Sequence, residues 1–241
     1  MKVEINVAKI EKRKEIKEAS LVLKRLEEKG LKEPAIASGW IRGWLTGIAP
    51  SDIDIAYVGD VHFEEAQKYL QEILDSLNID KTPWDIKGIW NAQLEYPEIT
   101  TTERNYLLFY VDSIDSVYLA SDGKLHDTTG YGFEDAKHKV LRMNDFTKMD
   151  FVYRDSKLVY LCLEGCRRVA KFGWTPTEQS IKLIKDGLSL WSKLSESTKK
   201  YFIEHKIIAK YQKEEFLKYQ AVYNTFGWGF IFDEALKFLS E

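Results

Sequence analysis

The sequence predicts an α+β protein, with a mixed α/β head over residues 1–145 and an all-α region over 146–241. Three patterns predict it. Acidic and apolar residues alternate over 52–58, the period of a strand with one buried face. Apolar residues recur at helical spacing over 10–29 and 62–78. From about residue 133 the helical period runs almost to the C-terminus. Strands mixed with helices, then helices alone, is the pattern of an α+β chain rather than an alternating α/β one.

In order, Ile10, Ile16, Ala19, Leu21, Leu23 and Leu26 define a first helix that Gly30 ends. "EPAIASG" reads as a short strand or turn, and "WIRGWLTG" as a short helix closed by Gly47. "SDIDIAYVG" is a strand, and "HFEEAQKYLQEILDSLN" an amphipathic helix. "PWDIKGIW", "EYPEITTTE" and "RNYLLFYVDSI" are strand-like, with aromatic and β-branched residues in alternation. "FEDAKHKVLRMN" opens the helical region. "DSKLVYLCLEGCRRVAKFG" is one helix with a Gly173 stop, and Thr177 is an N-cap before the next. Two further helical runs, 197–227 and 231–241, complete the chain.

With 241 residues and 44% apolar content, the chain can bury a core without staples. A net charge of −3 gives no global basic field that would point to nucleic acid. Cys162 and Cys166 sit four apart in an apolar run and read as buried thiols of a reducing compartment. The four histidines are scattered, which argues against a zinc site. The N-terminus is charged, and no apolar run is long enough to span a bilayer. The expectation is a cytoplasmic protein with no membrane partner.

Residues 36–60, "IASGWIRGWLTGIAPSDIDIAYVGD", carry the chemistry. Side chains at i and i+2 of a strand share a face, so Asp52 and Asp54 are neighbours. Two carboxylates that close repel, and a divalent cation removes the repulsion. A metal held there beside a nucleotide's phosphates can activate an attacking hydroxyl and neutralise departing pyrophosphate. Ser38-Gly39 can turn backbone N–H groups toward a phosphate at a helix start, and Arg42 lies in the same segment. A bare Asp-x-Asp is more often the solvent face of a strand; the ordered set with Ser38, Gly39 and Arg42 lowers the weight of that reading.

"SGWIRGWLTGIAPSDIDIA" resembles the head signature of class II CCA-adding enzymes and bacterial poly(A) polymerases, within the DNA polymerase β-like nucleotidyltransferase superfamily. That signature runs Gly-Gly-x-x-Arg-Asp, apolar residues, Gly, a spacer, then Asp-x-Asp. Ser38 takes the first glycine place, Gly39 the second, Arg42 the arginine, Gly47 the later glycine, and Asp52 and Asp54 the metal pair. "YPEITTTER" (96–104) is similar to the family's Glu-x-Thr-Thr-x-Arg strand, with one extra residue before Arg104. Residues 113–144 are similar to the segment that ends the family head, with Asp127, Gly132 and Leu141-Arg142 in its marked places. The resemblance covers roughly 36–144 and, faintly, the place of the neck helix. Gly43 stands where the family has aspartate. "FYVD" replaces its Arg-Arg-Asp run and leaves Asp112 near the ribose place. Glu164 and Arg167 are loose matches to the neck pattern.

The resemblance implies a polymerase β-like head followed by a helical neck or body. It implies a Mg2+- or Mn2+-dependent nucleotidyltransferase that moves an NMP unit from an NTP to an RNA 3′ end. Asp52 and Asp54 would hold metal. Ser38, Gly39, Arg42, Arg104 and Asp112 would meet the nucleotide. The third carboxylate is Glu98 first, Asp85 as rival, Asp112 third. Arg142, Arg167, Arg168 and Lys171 could form a basic face for RNA, against the plainer reading of a solvated helix face. Trp174, Tyr211, Tyr219, Tyr223, Phe226 and Trp228 could stack bases, though at helical spacing they read first as core. Two alternatives stay open. One is transfer to a protein or small-molecule hydroxyl; the other is a non-catalytic subunit of a larger assembly that binds a protein partner.

Overall fold

A computed structural model describes residues 6–49, 52–58, 61–86, 111–145 and 154–240. The strands expected over 95–114 lie outside the described residues up to 110, with Glu98 and Arg104, and their end, 111–114, bends into a turn rather than a strand. The chain is α+β and divides into two compact units, 1–138 and 139–241.

In the first unit, α1 (Val7–Glu11) and α2 (Lys14–Glu28) replace the single helix expected over 10–29. Asn6 caps α1 through its side chain, and Arg13 is extended between the two. The Arg13 guanidinium lies over the Trp44 ring, 4.8 Å from its centroid. β1 (Lys32–Ala37) leads to α3 (Gly39–Thr46), which Gly47 ends at φ 71°. β2 (Ile53–Val58), α4 (Phe63–Leu77) and β3 (Trp84–Ile86) follow. β4 (Val117–Leu119), β5 (Leu125–Asp127) and α5 (Gly132–His138) complete the unit.

The sheet order is β3-β2-β1-β4-β5. β2 and β3 are parallel, and the other pairs are antiparallel. α2 packs on β1 and α4, and α4 packs on β3. Ile16, Ala19, Val22, Leu23 and Leu26 of α2 are all fully buried, as their helical spacing requires. Ile36, Ile55, Ile86, Val117 and Leu119 supply the sheet's buried residues.

Gly132 is held by close approach. A Cβ there would stand 2.3 Å from Val117 Cγ2 and 2.6 Å from the Ser113 carbonyl oxygen. Gly132→Ala is therefore expected to destabilise the protein by ~2–3 kcal/mol, the upper range for an overpacked core site, in urea denaturation.

The second unit opens with β6 (Val140–Leu141), which pairs in parallel with β7 (Thr175–Pro176). The helix expected to run on from 133 is thus interrupted. Leu141 buries beneath the helix α7 (Glu178–Trp191), and its carbonyl accepts from Thr177 N at 3.0 Å and from Ser180 Oγ at 3.0 Å. Thr177 caps α7, as expected. α6 (Arg154–Phe172) packs along α7, with Gly187 against Cys162: a Cβ at 187 would stand 2.2 Å from the thiol. α8 (Glu196–Phe202) runs into one π-helical turn, Ile203–Ile208, and a 3-10 turn, Lys213–Glu215. α9 (Phe216–Asn224) and α10 (Phe230–Phe238) end the chain.

The six aromatics weighed as base-stacking residues are all buried. Trp228 Nε1 donates to the Ile184 carbonyl at 2.9 Å, and the Tyr223 hydroxyl donates to that of Leu163 at 3.3 Å. They are core. Both cysteines are free and buried, and burial pushes the Cys162 thiol up to about 12 and Cys166 well above its usual value. Neither thiol ionises readily, so neither is a nucleophile at neutral pH. No helix among the described residues is long and apolar enough to cross a membrane.

Candidate active site

Asp54 is the second residue of β2, and Asp52 immediately precedes the strand. Asp52 is exposed and Asp54 half-buried, while Ile53 and Ile55 between and beside them are buried. Strand alternation turns Asp54 away from Ile53 and Ile55.

Sheet register extends that face. Asp54 lies opposite Asp85 in the parallel pair β2/β3. Ile36 pairs with Ile55, so one step on, Ala37 lies opposite Asp54. Ala37 pairs with Tyr118, and Tyr118 with His126. One row therefore crosses the sheet: Asp85, Asp54, Ala37, Tyr118, His126. Residues opposite one another in register share a face. Tyr118 stacks on His126 in that row, ring centroids 5.1 Å apart. The segment Trp84-Asp85-Ile86 repeats the buried–acid–buried pattern of Ile53-Asp54-Ile55, and this repetition is the sequence signal that favours Asp85. Among the described residues, no three His, Cys, Asp or Glu side chains gather into a metal-binding group. Magnesium commonly takes one or two carboxylates and fills its remaining positions with water and substrate phosphate, so the Asp52–Asp54 pair fits such an ion.

Beside Asp54, β1 ends at Ala37 and the chain turns through Ser38 into α3. Ser38 has φ 61° and ψ −130°, a backbone that glycine adopts freely and serine only under strain. The place that a Gly-Gly signature would fill with glycine is thus glycine-like in shape, although serine occupies it. The Ser38 side chain makes no capping hydrogen bond to α3. The helix's first N–H groups point out of the helix end at the end of β1 nearest Asp52 and Asp54.

Two residues expected at the nucleotide are buried and paired within the protein. Arg42 was expected at the triphosphate; it is buried, and its guanidinium is paired with the carboxylate of Asp115, itself 1% exposed. Asp112 was expected near the ribose; it is fully buried, and its Oδ1 accepts from the N–H groups of Ile114 (3.0 Å) and Asp115 (2.9 Å). It shapes a turn, the usual work of aspartate that caps its own backbone. Asp115 was missed altogether. Its only local sign is the spacing Asp112-x-x-Asp115, which surface loops also show.

Arg168 was expected on an exposed basic face of the second unit; it is 3% exposed and lies 3.6 Å from Glu164. Arg167 Nε donates to Glu164 at 2.8 Å, and Lys206 Nζ is 3.9 Å from the same carboxylate. Burial would push Glu164 up, but Arg167, Arg168 and Lys206 outweigh it and hold the carboxylate below its usual value. Lys206 goes down, because burial and the neighbouring Lys210, Arg167 and Lys157 outweigh the pull of Glu164. Lys171 is exposed and Arg142 half-exposed.

No protein-family model and no curated protein sequence matches the chain. Solved structures do. A CCA-adding enzyme in complex with CTP superposes with TM-score 0.65 at 19% identity, over 92% of this chain and 55% of its own. A Thermotoga maritima CCA-adding enzyme complexed with tRNA gives 0.60 at 18%, over 94% and 55%. A tRNA nucleotidyltransferase complexed with a primer tRNA and an incoming ATP analogue gives 0.62 at 18%, over 85% and 60%. The chain spans little more than half the length of these proteins. At such identity the likeness is one of fold, and it is the fold that the motif at 38–54 implied.

Proposed function

We propose that this protein is a metal-dependent nucleotidyltransferase that moves an NMP unit from an NTP to the 3′ hydroxyl of an RNA. The observation that carries the reading is the acidic register: Asp54 of β2 lies opposite Asp85 of β3, with Asp52 just before the strand. Asp52 and Asp54 would hold Mg2+ or Mn2+. When bound, the ion neutralises triphosphate charge and makes the acceptor hydroxyl more acidic. The N–H groups that open α3 beyond Ser38 bind phosphate oxygens, as helix starts do. Asp85 is the third carboxylate and accepts the proton of the attacking hydroxyl. The displaced pyrophosphate leaves past the α3 end.

RNA as acceptor is supported by the tRNA bound in similar folds. In the second unit, Lys157 and Lys206 both lie over the Tyr160 ring, at 5.5 and 4.3 Å. Exposed Lys210 and Lys171 are further cations of this unit that RNA phosphates would meet, in place of buried Arg168. The test is incubation with labelled NTPs and a pool of tRNA and oligonucleotides in magnesium or manganese. Extension of the RNA 3′ end supports the reading. Label on a protein or small molecule moves the acceptor, and no transfer to any acceptor rejects the enzyme.

A further inference from the structure

We infer that the buried Arg42–Asp115 ion pair is a positioning device that holds the Ser38 turn in its phosphate-binding shape. The inference rests on the nucleotide reading of that turn.

Two bonds link the pair to the turn. The Ser38 N–H donates to the Asp115 main-chain carbonyl at 3.2 Å, and the Arg42 N–H donates to the Ser38 carbonyl at 2.8 Å. The side chains of Arg42 and Asp115 then close the loop between them. Ser38 is thus held at its N–H by Asp115 and at its C=O by the first helical bond of α3, and the ion pair ties Asp115 to that same first turn. Asp115 is itself fixed from behind. Asp112 takes its N–H, and the Ser116 Oγ and N–H both donate to the Asp112 carbonyl, at 2.9 and 3.1 Å. Thr128 Oγ1 ties the Ser116 carbonyl to the β5 side at 3.0 Å.

This grip accounts for a serine where the backbone asks for glycine. A non-glycine residue stays in such a conformation only where its surroundings over-determine it. Glycine would need no grip. Arg42 therefore acts on the triphosphate through Asp115 and Ser38 rather than by touching it.

The prediction is a rescue. Asp115→Asn is expected to weaken binding of a non-hydrolysable ATP analogue by about tenfold, near the low end of what such backbone strain is worth. Adding Ser38→Gly to that variant is expected to restore affinity to within about threefold of the wild type, because glycine re-enters the conformation without strain. Calorimetric titration reads both. Wild-type affinity in folded Asp115→Asn, or a loss that Ser38→Gly leaves in place, overturns the inference. Should Asp115→Asn not fold, Arg42→Lys keeps the charge, loses the planar fork and carries the same expectations. If the wild-type protein binds no nucleotide, the functional reading fails and the grip is read from unfolding alone. Ser38→Gly is then expected to raise the unfolding temperature more in the wild type than in Arg42→Lys, since only the intact grip enforces strain. Equal increments overturn it.

Discussion

Asp54→Asn is expected to cut nucleotidyl transfer by ~10³-fold or more, about 4 kcal/mol at ~1.4 kcal/mol per tenfold. The substitution keeps size and shape and removes one charge. That charge is half of the pair proposed to hold the cation, so affinity for magnesium or manganese falls with it. Stability is expected to move the other way. Asp54 stands opposite Asp85 in neighbouring strands, and like charges directly opposite are unfavourable. The unfolding temperature of Asp54→Asn should hold or rise. The two measurements together separate a catalytic acid from a structural one. Transfer within about threefold of the wild type would remove Asp54 from the chemistry and leave the strand face as a solvated surface.

Glu164→Gln is expected to destabilise the second unit by ~3–5 kcal/mol, the cost of leaving buried charge uncompensated. Glu164 is 4% exposed and faces Arg167, Arg168 and Lys206. The amide can accept a hydrogen bond but carries no charge to answer the cations. The pH dependence follows from the direction of its shift. The folded carboxylate titrates below its ordinary value of 4.5, because the cations outweigh its burial. Its stabilisation is therefore present above about pH 4.5 and lost as pH falls through the lower, folded value. Urea denaturation of wild type and variant should show a gap that is full at about pH 6 and shrinks toward about pH 3. A gap that stays constant over that range would mean that the charge on Glu164 is not what stabilises the unit.

The comparison of these two acids shows what local sequence can carry. The strand that carries Asp54 was legible because a strand has period two, and acidic and apolar residues alternate through it. The caps at Gly47, Thr177 and Gly173 were legible for the same reason, since each is settled within one turn of the chain. The single helix expected over 10–29 failed locally: Asn6 starts a separate short helix, and the chain is extended at Arg13.

Glu164 and Arg167 were read only as loose matches to a neck pattern, and Arg167 and Arg168 as part of a basic face; the structure pairs both with Glu164. A helix's own period does not say which neighbouring elements cover it. Here an ion pair to Glu164 lets a guanidinium be buried that would otherwise need water.

The sequence by itself determined the α+β order of elements, the strand that carries Asp54, and the turn that leads into α3, because these follow from backbone period and local hydrogen bonding. Tertiary structure alone decided that Asp85 would face Asp54 from another strand, that Asp112 would turn inward, and that Arg42 would be spent on Asp115, 73 residues away. Those choices turn on which charges can be compensated once water is excluded, and compensation comes from partners that only the folded chain brings within reach.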